Sequence, residues 1–315
     1  MPLIDYNLNG RQDKVKTAIE RIKAFCPITN DYDLDGSGTP KPYYVAYSGG
    51  KDSDVLRILF DLSNVPYELV HNHTTIDAPE TVYYIRQIPN IIISYPVISM
   101  YKLISEKRTM PPTRIFRYCC KDLKERGGTG RFVATGVRWQ ESTQRKSRGS
   151  LEIFTRKKTN QKVYHIDNDQ DRRMFENCTV KGRKMLNPII DWTTAEVWEF
   201  LNHYNCKSNP LYECGYTRIG CIGCPMSTIK NMLSDFERYP KYKDMYIRAF
   251  DRMIINTKKK GKPTTWETGE EVFNWWLQLD DYNYKRNKYL QGEIQISLED
   301  YEDDYDLMDT DYETV

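Results

Sequence analysis

Two groups of residues in this sequence carry side chains suited to chemistry. The first is the hexapeptide SGGKDS at residues 48–53, which combines two hydroxyls, a lysine, an aspartate and two adjacent glycines. The second is a set of four cysteines in two pairs, Cys119–Cys120 and Cys221–Cys224. Glycines beside a lysine and hydroxyls suit the binding of an anion, whereas clustered thiols in a chain of this length indicate metal or redox chemistry.

The hexapeptide follows the apolar run YYVAY and leads directly into DVLRILFDL, which has the pattern of a helix. Glycines at such a strand-to-helix turn permit positive φ and let a ligand approach the bare backbone. The first helical amides have no partner within the helix, and the macrodipole places about half a positive charge there. With Lys51, Ser48 and Ser53, the turn predicts a phosphate-binding loop. A tight turn with a solvated lysine is the alternative, and the GxxxxGK[ST] spacing of another phosphate loop is absent from the sequence.

The elements around the loop alternate between short apolar runs and amphipathic stretches. Strands are predicted at YYVAYS, YELVHNH, IIIS and RFVATGVR, with helices between them at DVLRILFDLS, APETVYYIRQI and SMYKLISEKR. This alternation predicts an α/β fold with a doubly wound parallel sheet. Because ligands of such sheets bind at the carboxyl ends of the strands, the SGGKDS turn, His71–His73 and Arg138 are expected at one edge.

The pattern changes on both sides of this core. Residues 1–41 predict a helix at about 11–26 followed by a loop, and the α/β domain is placed at 42–228. Within that domain, a basic insertion is expected at about 149–186, with a hairpin at LEIFTRKKTNQKVYHI. Beyond the helix DWTTAEVWEFLNHY, residues 229–298 predict a mostly helical extension, with helices at FERYPKYKDMYIRAFDRMIIN and GEEVFNWWLQLDDY, and residues 299–315 an acidic mobile tail.

The net charge of +2 is unevenly distributed along the chain. Residues 299–315 contain nine acids and no Lys or Arg, which leaves 46 basic against 35 acidic residues elsewhere. Such a basic body favours a polyanionic partner, a nucleotide or a nucleic acid. No apolar run is long enough to span a bilayer, and MPLIDYNLNG lacks the features of a signal peptide. We therefore expect a soluble cytoplasmic protein without a membrane partner.

Five stretches, taken together, resemble a known family. SGGKDS, RYCCKDLKE, ATGVRWQES, NPIIDWTTAEVWEFL and NPLYECGYTRIGCIGCP occur in the order and rough spacing of the phosphoadenosine phosphosulfate (PAPS) reductase family, within the adenine nucleotide alpha hydrolase superfamily of N-type ATP pyrophosphatases. The resemblance spans Tyr43 to about Met226. It implies an adenine-nucleotide domain that binds ATP, PAPS or adenylylsulfate (APS).

The resemblance also implies site residues. The candidate nucleotide and phosphate ligands are Ser48, Gly49, Gly50, Lys51, Asp52, Ser53, Lys121, Arg138, Glu141 and Ser142, and the candidate catalytic residues are Lys51, Asp52, Arg138 and Arg145. Arginine offers a planar, permanently charged fork that suits phosphate or sulfate oxygens. A surface ion pair between Arg145 and Glu141 at helical spacing is the alternative. Asn72 and His73 are further candidates.

The paired cysteines are compared with two kinds of metal centre. Zinc sites usually use two separated C-x-x-C knuckles, and adjacent cysteines fit one small ion poorly. A 4Fe–4S cubane spreads its corners over more space and is held by four thiolates. Because the pattern resembles the cluster-binding subset of sulfonucleotide reductases, we expect a 4Fe–4S cluster on Cys119, Cys120, Cys221 and Cys224, with zinc or plain thiols as alternatives. Inert thiols are expected at Cys26, Cys178, Cys206 and Cys214.

The reductases of this family carry a nucleophilic cysteine in a short C-terminal Glu-Cys-Gly-Leu-His motif, and no cysteine follows Cys224 in this sequence. Reductive attack on a sulfonucleotide needs such a thiolate. The leading hypothesis is therefore an ATP pyrophosphatase that binds ATP with Mg²⁺ and adenylates a substrate for sulfur insertion. DNA and tRNA are candidate substrates, and a cysteine desulfurase is a candidate sulfur donor.

Two other functions stay open. The chain could be a true APS or PAPS reductase that produces sulfite with thioredoxin, using Cys206, Cys214 or a partner's thiol. It could also be a non-catalytic nucleotide-binding protein whose acidic tail engages a partner. The sequence does not specify an oligomeric state.

Overall fold

The computed structural model describes residues 3–7, 10–32, 34, 36–124, 127–154, 162–164 and 183–279. The chain divides into two compact units, the first comprising Met1–Pro96 and Leu123–Gly220 and the second Val97–Asp122 and Cys221–Val315. The acidic tail, Cys178 and most of the expected basic insertion lie outside the described residues. The domain boundaries inferred from sequence stay a prediction.

The first unit is built on a seven-stranded sheet accompanied by a small separate hairpin. In chain order, the described strands are β1 (Ile4–Asn7), β2 (Gly10–Asp13), β3 (Tyr43–Ala46), β4 (Tyr67–Asn72), β5 (Ile92–Ser94), β6 (Val133–Ala134), β7 (Leu151–Phe154), β8 (Lys162–Tyr164) and β9 (Arg183–Leu186). Strands β1 and β2 form the hairpin, and the sheet order is β5-β4-β3-β6-β9-β7-β8.

The sheet confirms the predicted α/β architecture. Strands β5, β4, β3, β6 and β9 are parallel neighbours, and the chain runs outward from β3 to β5 before it returns to β6 on the other side of β3. The order therefore reverses between β3 and β6, where ligands of doubly wound sheets bind. The predicted hairpin is present as β7 and β8, which pair antiparallel and extend the sheet beyond β9.

The α-helices that the structure describes up to His203 are α1 (Lys14–Ala24), α2 (Lys51–Ser63), α3 (Pro79–Arg86), α4 (Met100–Lys102, continued by a π-helical turn to Lys107) and α5 (Thr194–His203). Helix α1 begins later than the predicted residue 11. Residues 10–13 belong to β2, and the Asp13 carboxylate accepts hydrogen bonds from the amides of Val15 and Lys16, which fixes the helix start. Helix α5 begins after Thr193, which forms a reciprocal capping box with Glu196.

The core of the first unit lies around β3 and α2. Tyr43 and Val45 in β3 are fully buried, as expected for a central strand covered on both faces. The Tyr43 ring lies 5.3 Å from the Phe60 ring of α2 and 5.1 Å from the Phe132 ring beside β6. Leu56 and Leu59 of α2 are also fully buried. This packing fixes the two strand ends from which the candidate site is built.

The second unit contains α4 and three further helices, α6 (Ile229–Arg238), α7 (Pro240–Lys259) and α8 (Gly269–Trp276), around an aromatic core of Phe236, Tyr246, Phe250, Phe273 and Trp276. The stretch FERYPKYKDMYIRAFDRMIIN, predicted as one helix, is divided between α6 and α7. Pro240 lacks an amide hydrogen and therefore occupies the first position of α7. Among the helices that the structure describes, none has the length and apolar character needed to cross a bilayer.

Candidate functional site

The SGGKDS hexapeptide forms the turn between β3 and α2, beside the point where the strand order reverses. Gly49 has φ of +75°, and a Cβ there would lie 3.0 Å from the Ile85 side chain. Gly50 caps α2, and its amide donates to the Ser53 hydroxyl at 3.1 Å while that hydroxyl donates to the Gly50 carbonyl at 2.7 Å. The hexapeptide thus fixes its own turn, with the Ser48 hydroxyl 3.4 Å from the Ser53 hydroxyl.

Lys51 is buried at the first position of α2. Its Nζ lies 3.4 Å from the Thr217 carbonyl oxygen and 3.5 Å from Asp52 Oδ2. Both distances exceed the roughly 2.7–2.9 Å of a strong charge-assisted hydrogen bond. A buried ammonium gains free energy from a closer anionic partner, so Lys51 is well suited to bind a phosphate oxygen.

Arg138 joins the loop after β6 to the start of α2. Its side chain is only 2% exposed, and its Nε donates to Asp52 Oδ1 at 2.7 Å. The loop after β6 and the start of α2 approach each other closely, since a Cβ on Gly136 would lie 3.0 Å from the Asp52 carbonyl oxygen. The structure therefore brings the predicted residues Asp52 and Arg138 together. Direct contact of either with a phosphate stays a prediction.

Arg145 pairs with Glu141, which is the alternative expected from the sequence. The same glutamate accepts a hydrogen bond from the Arg138 amide at 3.0 Å. Burial, followed by the positive charges of Arg218 and Arg148, lowers the pKa of Arg145 to about 10. Cationic side chains therefore repel one another here in spite of the ion pair. A bound anion would relieve that repulsion.

The structure places the remaining predicted ligands differently. Ser142 is exposed and immediately precedes a short 3₁₀ helix, Thr143–Ser147. Lys121 is exposed and belongs to the second unit, so its contact with a nucleotide stays a prediction. Asn72 is engaged with Tyr44, since its Oδ1 accepts from the Tyr44 hydroxyl at 3.0 Å.

Two residues that the sequence interpretation did not assign support the loop. Asn209 is fully buried, and its Nδ2 donates to the Gly49 carbonyl at 3.1 Å and to Thr81 Oγ1 at 3.0 Å. The Lys51 amide donates to the Tyr212 hydroxyl at 2.8 Å. Both residues lie in NPLYECGY, a stretch already noted for its family resemblance. The family resemblance was the one sign in the sequence that this stretch belongs to the site. A local sequence pattern cannot reveal contacts between residues 160 positions apart.

A buried carboxyl lies beneath the loop. Burial raises the pKa of Asp54 to about 6, although hydrogen bonds from Tyr47 at 2.5 Å and Tyr84 at 2.9 Å act in the opposite direction. Burial and the Asp54 charge also raise the pKa of the Cys206 thiol. Because the thiolate is the nucleophile, this environment makes Cys206 a poor substitute for a catalytic cysteine.

The four paired cysteines all belong to the second unit. Cys119 immediately precedes a π-helical turn that begins at Cys120. Cys221 and Cys224 flank a tight turn whose Ile222 carbonyl accepts from the Tyr246 hydroxyl at 3.2 Å. Arg114 connects the two segments, because its guanidinium donates to the carbonyls of Met226 and Ser227 at 3.4 Å. The fold thus provides contacts that hold both pairs in one region.

The thiols of the two pairs interact electrostatically. Hydrogen bonding with Cys120 raises the pKa of Cys119, as do burial and then the charges of Cys120, Cys224 and Cys221. All four cysteines have intermediate exposure. Four neighbouring thiols without a disulfide form a donor set that fits a 4Fe–4S cluster. The assignment of that cluster to these cysteines stays a prediction.

Residues 42–227, more than half of the chain, match the family described as the phosphoadenosine phosphosulfate reductase domain. The chain belongs to the PAPS reductase family. The matched range includes the SGGKDS turn, the arginines after β6 and all four paired cysteines.

The proteins to which this chain is similar differ in their described functions. The chain is 25% identical over 262 residues to an uncharacterised protein of Methanocaldococcus jannaschii, covering 75% of this chain and 49% of that protein. It is 44% identical over 43 residues to adenosine 5'-phosphosulfate reductase of Allochromatium vinosum, 14% of this chain and 17% of that one. Among solved structures, the U34-tRNA thiolase NcsA of Methanococcus maripaludis with its [4Fe-4S] cluster matches with a TM-score of 0.40 at 14% identity, over 82% of this chain and 84% of that one. The chain spans about half the length of the curated relatives that it matches most extensively.

Replacing Lys51 by alanine should weaken ATP binding by about 10- to 100-fold, since it removes one charge-assisted hydrogen bond to phosphate. Equilibrium dialysis with radiolabelled ATP measures the change, and iron per chain should stay at the wild-type level. Lys16→Ala is the matched control, because that side chain is 75% exposed on α1. Equal ATP affinity in wild type and Lys51→Ala would contradict the loop assignment.

Replacing Gly223 by alanine should lower the iron and sulfide bound per chain. Gly223 has φ of +65°, and a Cβ would lie 2.5 Å from the Phe236 ring, so the turn between Cys221 and Cys224 must shift. Gly261→Ala is the control in the same unit, with φ of +67° and no atom within 4 Å of the added Cβ. Iron analysis and the visible spectrum report the loss. A full complement of iron in Gly223→Ala would show that the turn does not position cluster ligands.

Proposed function

We propose that this member of the PAPS reductase family is an ATP pyrophosphatase that adenylates a substrate for sulfur insertion. The observation that carries the proposal is the accumulation of positive charge at the edge of the sheet. Buried Lys51 follows the glycine turn, and the pKa of Arg145 is lowered by burial and by neighbouring arginines. Charge from two separate segments suits an extended polyphosphate such as ATP, accompanied by Mg²⁺.

In this proposal, a substrate oxygen attacks the α-phosphorus of ATP, forming a new P–O bond. The bond between that phosphorus and the bridging oxygen breaks, and pyrophosphate leaves with the electron pair. Lys51 and the positive end of the α2 macrodipole stabilise the negative charge on the phosphates. Asp52 and Arg138 hold the start of α2 against the loop after β6. The outer sulfur of a persulfide then forms a bond to the substrate and displaces AMP, and a thiol reduces the resulting disulfide so that the sulfur stays on the substrate.

The four cysteines would hold a 4Fe–4S cluster, which when bound would supply a site for sulfur on its way to the substrate. Burial of Tyr246 beneath the C-x-x-C turn and the hydroxyl bond to the Ile222 carbonyl hold that turn. The basic composition outside residues 299–315 favours a nucleic-acid substrate, DNA or tRNA. A cysteine desulfurase is the proposed source of the persulfide.

A second candidate function is reduction of APS or PAPS to sulfite. The short segment of high identity with an adenosine 5'-phosphosulfate reductase favours it. This reaction requires a thiolate that attacks sulfur and a thioredoxin that releases sulfite. The raised pKa of Cys206 makes that residue a weak candidate, and Cys214 is exposed.

The two reactions are distinguished by their products. Anaerobically purified protein with its cluster would be incubated with Mg²⁺–ATP, total tRNA or DNA, cysteine and a cysteine desulfurase, and separately with PAPS or APS and thioredoxin. We expect pyrophosphate and sulfur-containing nucleic acid in the first mixture, with both products reduced in Lys51→Ala at subsaturating ATP and unchanged in Lys16→Ala. Sulfite in the second mixture, with no pyrophosphate in the first, would instead establish the reductase. The absence of products in both mixtures would favour a non-catalytic nucleotide-binding protein.

A further inference from the structure

A third set of ligating side chains lies at the end of β4, and the proposed reaction does not use it. His71, His73 and Asp77 each place one ligand atom so that all three lie within 4.8 Å of one another. His73 Nδ1 is 3.2 Å from Asp77 Oδ2, and His71 Nε2 is 3.8 Å from the same oxygen. The set belongs to the first unit and contains no cysteine.

The backbone explains why these three residues meet. His71 is the penultimate residue of β4, and side chains two positions apart in an extended chain point to the same side, which brings His73 alongside. Asp77 lies two residues before the start of α3. The Thr74 amide donates to Asp77 Oδ2 at 2.8 Å, which closes the turn and directs the carboxylate back towards the histidines.

The hydrogen bonding of His71 resembles that of a metal ligand. Its Nδ1 lies 3.0 Å from the Tyr47 carbonyl oxygen, and because a carbonyl can only accept, Nδ1 carries the hydrogen. In the neutral imidazole, that tautomer leaves a lone pair on Nε2, which is buried and has no hydrogen-bond partner among the described residues. A buried polar atom without a partner costs free energy. Metal-binding histidines commonly donate their other ring hydrogen to a backbone carbonyl in this way.

We propose that His71 Nε2, His73 Nδ1 and Asp77 Oδ2 bind one divalent transition-metal ion of the zinc class, separate from the cysteine centre. Metal–ligand bonds of 2.0–2.1 Å around a tetrahedral ion place ligand atoms about 3.3 Å apart. The two distances to Asp77 Oδ2, 3.2 and 3.8 Å, lie on either side of that spacing. Two imidazoles and one carboxylate suit Zn²⁺ or Fe²⁺, whereas Mg²⁺ prefers oxygen ligands alone.

The site would connect metal binding to the phosphate loop. Tyr47, whose carbonyl accepts from His71, immediately precedes Ser48 of the SGGKDS turn. An ion on Nε2 fixes the imidazole and strengthens its other ring hydrogen as a donor to that carbonyl. Three protein ligands also leave a fourth position for water or a substrate group. The His73 side chain is 20% exposed, which gives that position a route to solvent.

The test measures metal binding in the anaerobic protein with its cluster assembled, so that the cysteines are already occupied. After removal of loosely bound metal, Zn²⁺ is titrated by calorimetry and zinc per chain is determined by mass spectrometry. We expect one zinc in addition to the cluster iron, with affinity lowered about 100-fold or more in His73→Gln and in Asp77→Asn. His203→Gln, which removes an imidazole at the end of α5, should bind as the wild type does.

Co²⁺ provides a second readout that excludes the cysteines. Bound to nitrogen and oxygen, Co²⁺ should give visible d–d bands without the near-ultraviolet charge-transfer band of a cobalt thiolate. His73→Gln is the primary variant because buried His71 also contributes to packing. Absence of a zinc equivalent beyond the cluster, unchanged affinity in His73→Gln, or equal affinity for Mg²⁺ would overturn the proposal.

Discussion

Burial of the Arg138 guanidinium is the constraint on which the candidate site depends. A charged group with almost no solvent exposure must be paired and hydrogen-bonded, because leaving it unpaired costs several kcal/mol. Asp52 supplies the charge, and the Trp192 carbonyl and the Thr194 hydroxyl supply further acceptors at 3.1 and 3.3 Å. These partners come from the start of α2, the segment before α5, and α5 itself. One side chain therefore fixes three connections at the edge of the sheet.

The phosphate loop depends on that arrangement. Asp52 directly follows Lys51, so the pair with Arg138 also determines where the lysine and the first amides of α2 lie. Asn209 and Tyr212 hold the other side of the turn, through the Gly49 carbonyl and the Lys51 amide. The loop is consequently formed in the folded protein before a ligand arrives. A preorganised set of donors stabilises developing charge without reorganisation during the reaction.

Local features of this site could be predicted from the sequence, and long-range contacts could not. The hexapeptide is contiguous and its glycines, lysine and hydroxyls each have a physical reason to be there, so the turn between β3 and α2 was predictable. The predicted start of α1 was wrong because residues 10–13 pair with β1. A helical pattern of apolar residues does not show whether a segment pairs with another strand. The bond from Asn209 to Gly49 spans 160 residues. No local sequence pattern marked Asp77 as a candidate metal ligand, because its carboxylate is identified only by its distance to two histidines in the folded chain.

The central claim is that the SGGKDS turn binds the phosphates of ATP. A crystal structure of the protein with a non-hydrolysable ATP analogue, α,β-methylene-ATP, and Mg²⁺ tests this most directly. We predict phosphate oxygens within hydrogen-bonding distance of Lys51 Nζ, at the start of α2, with the Asp52–Arg138 pair intact. Phosphates bound elsewhere, with Lys51 still directed at the Thr217 carbonyl, would contradict it.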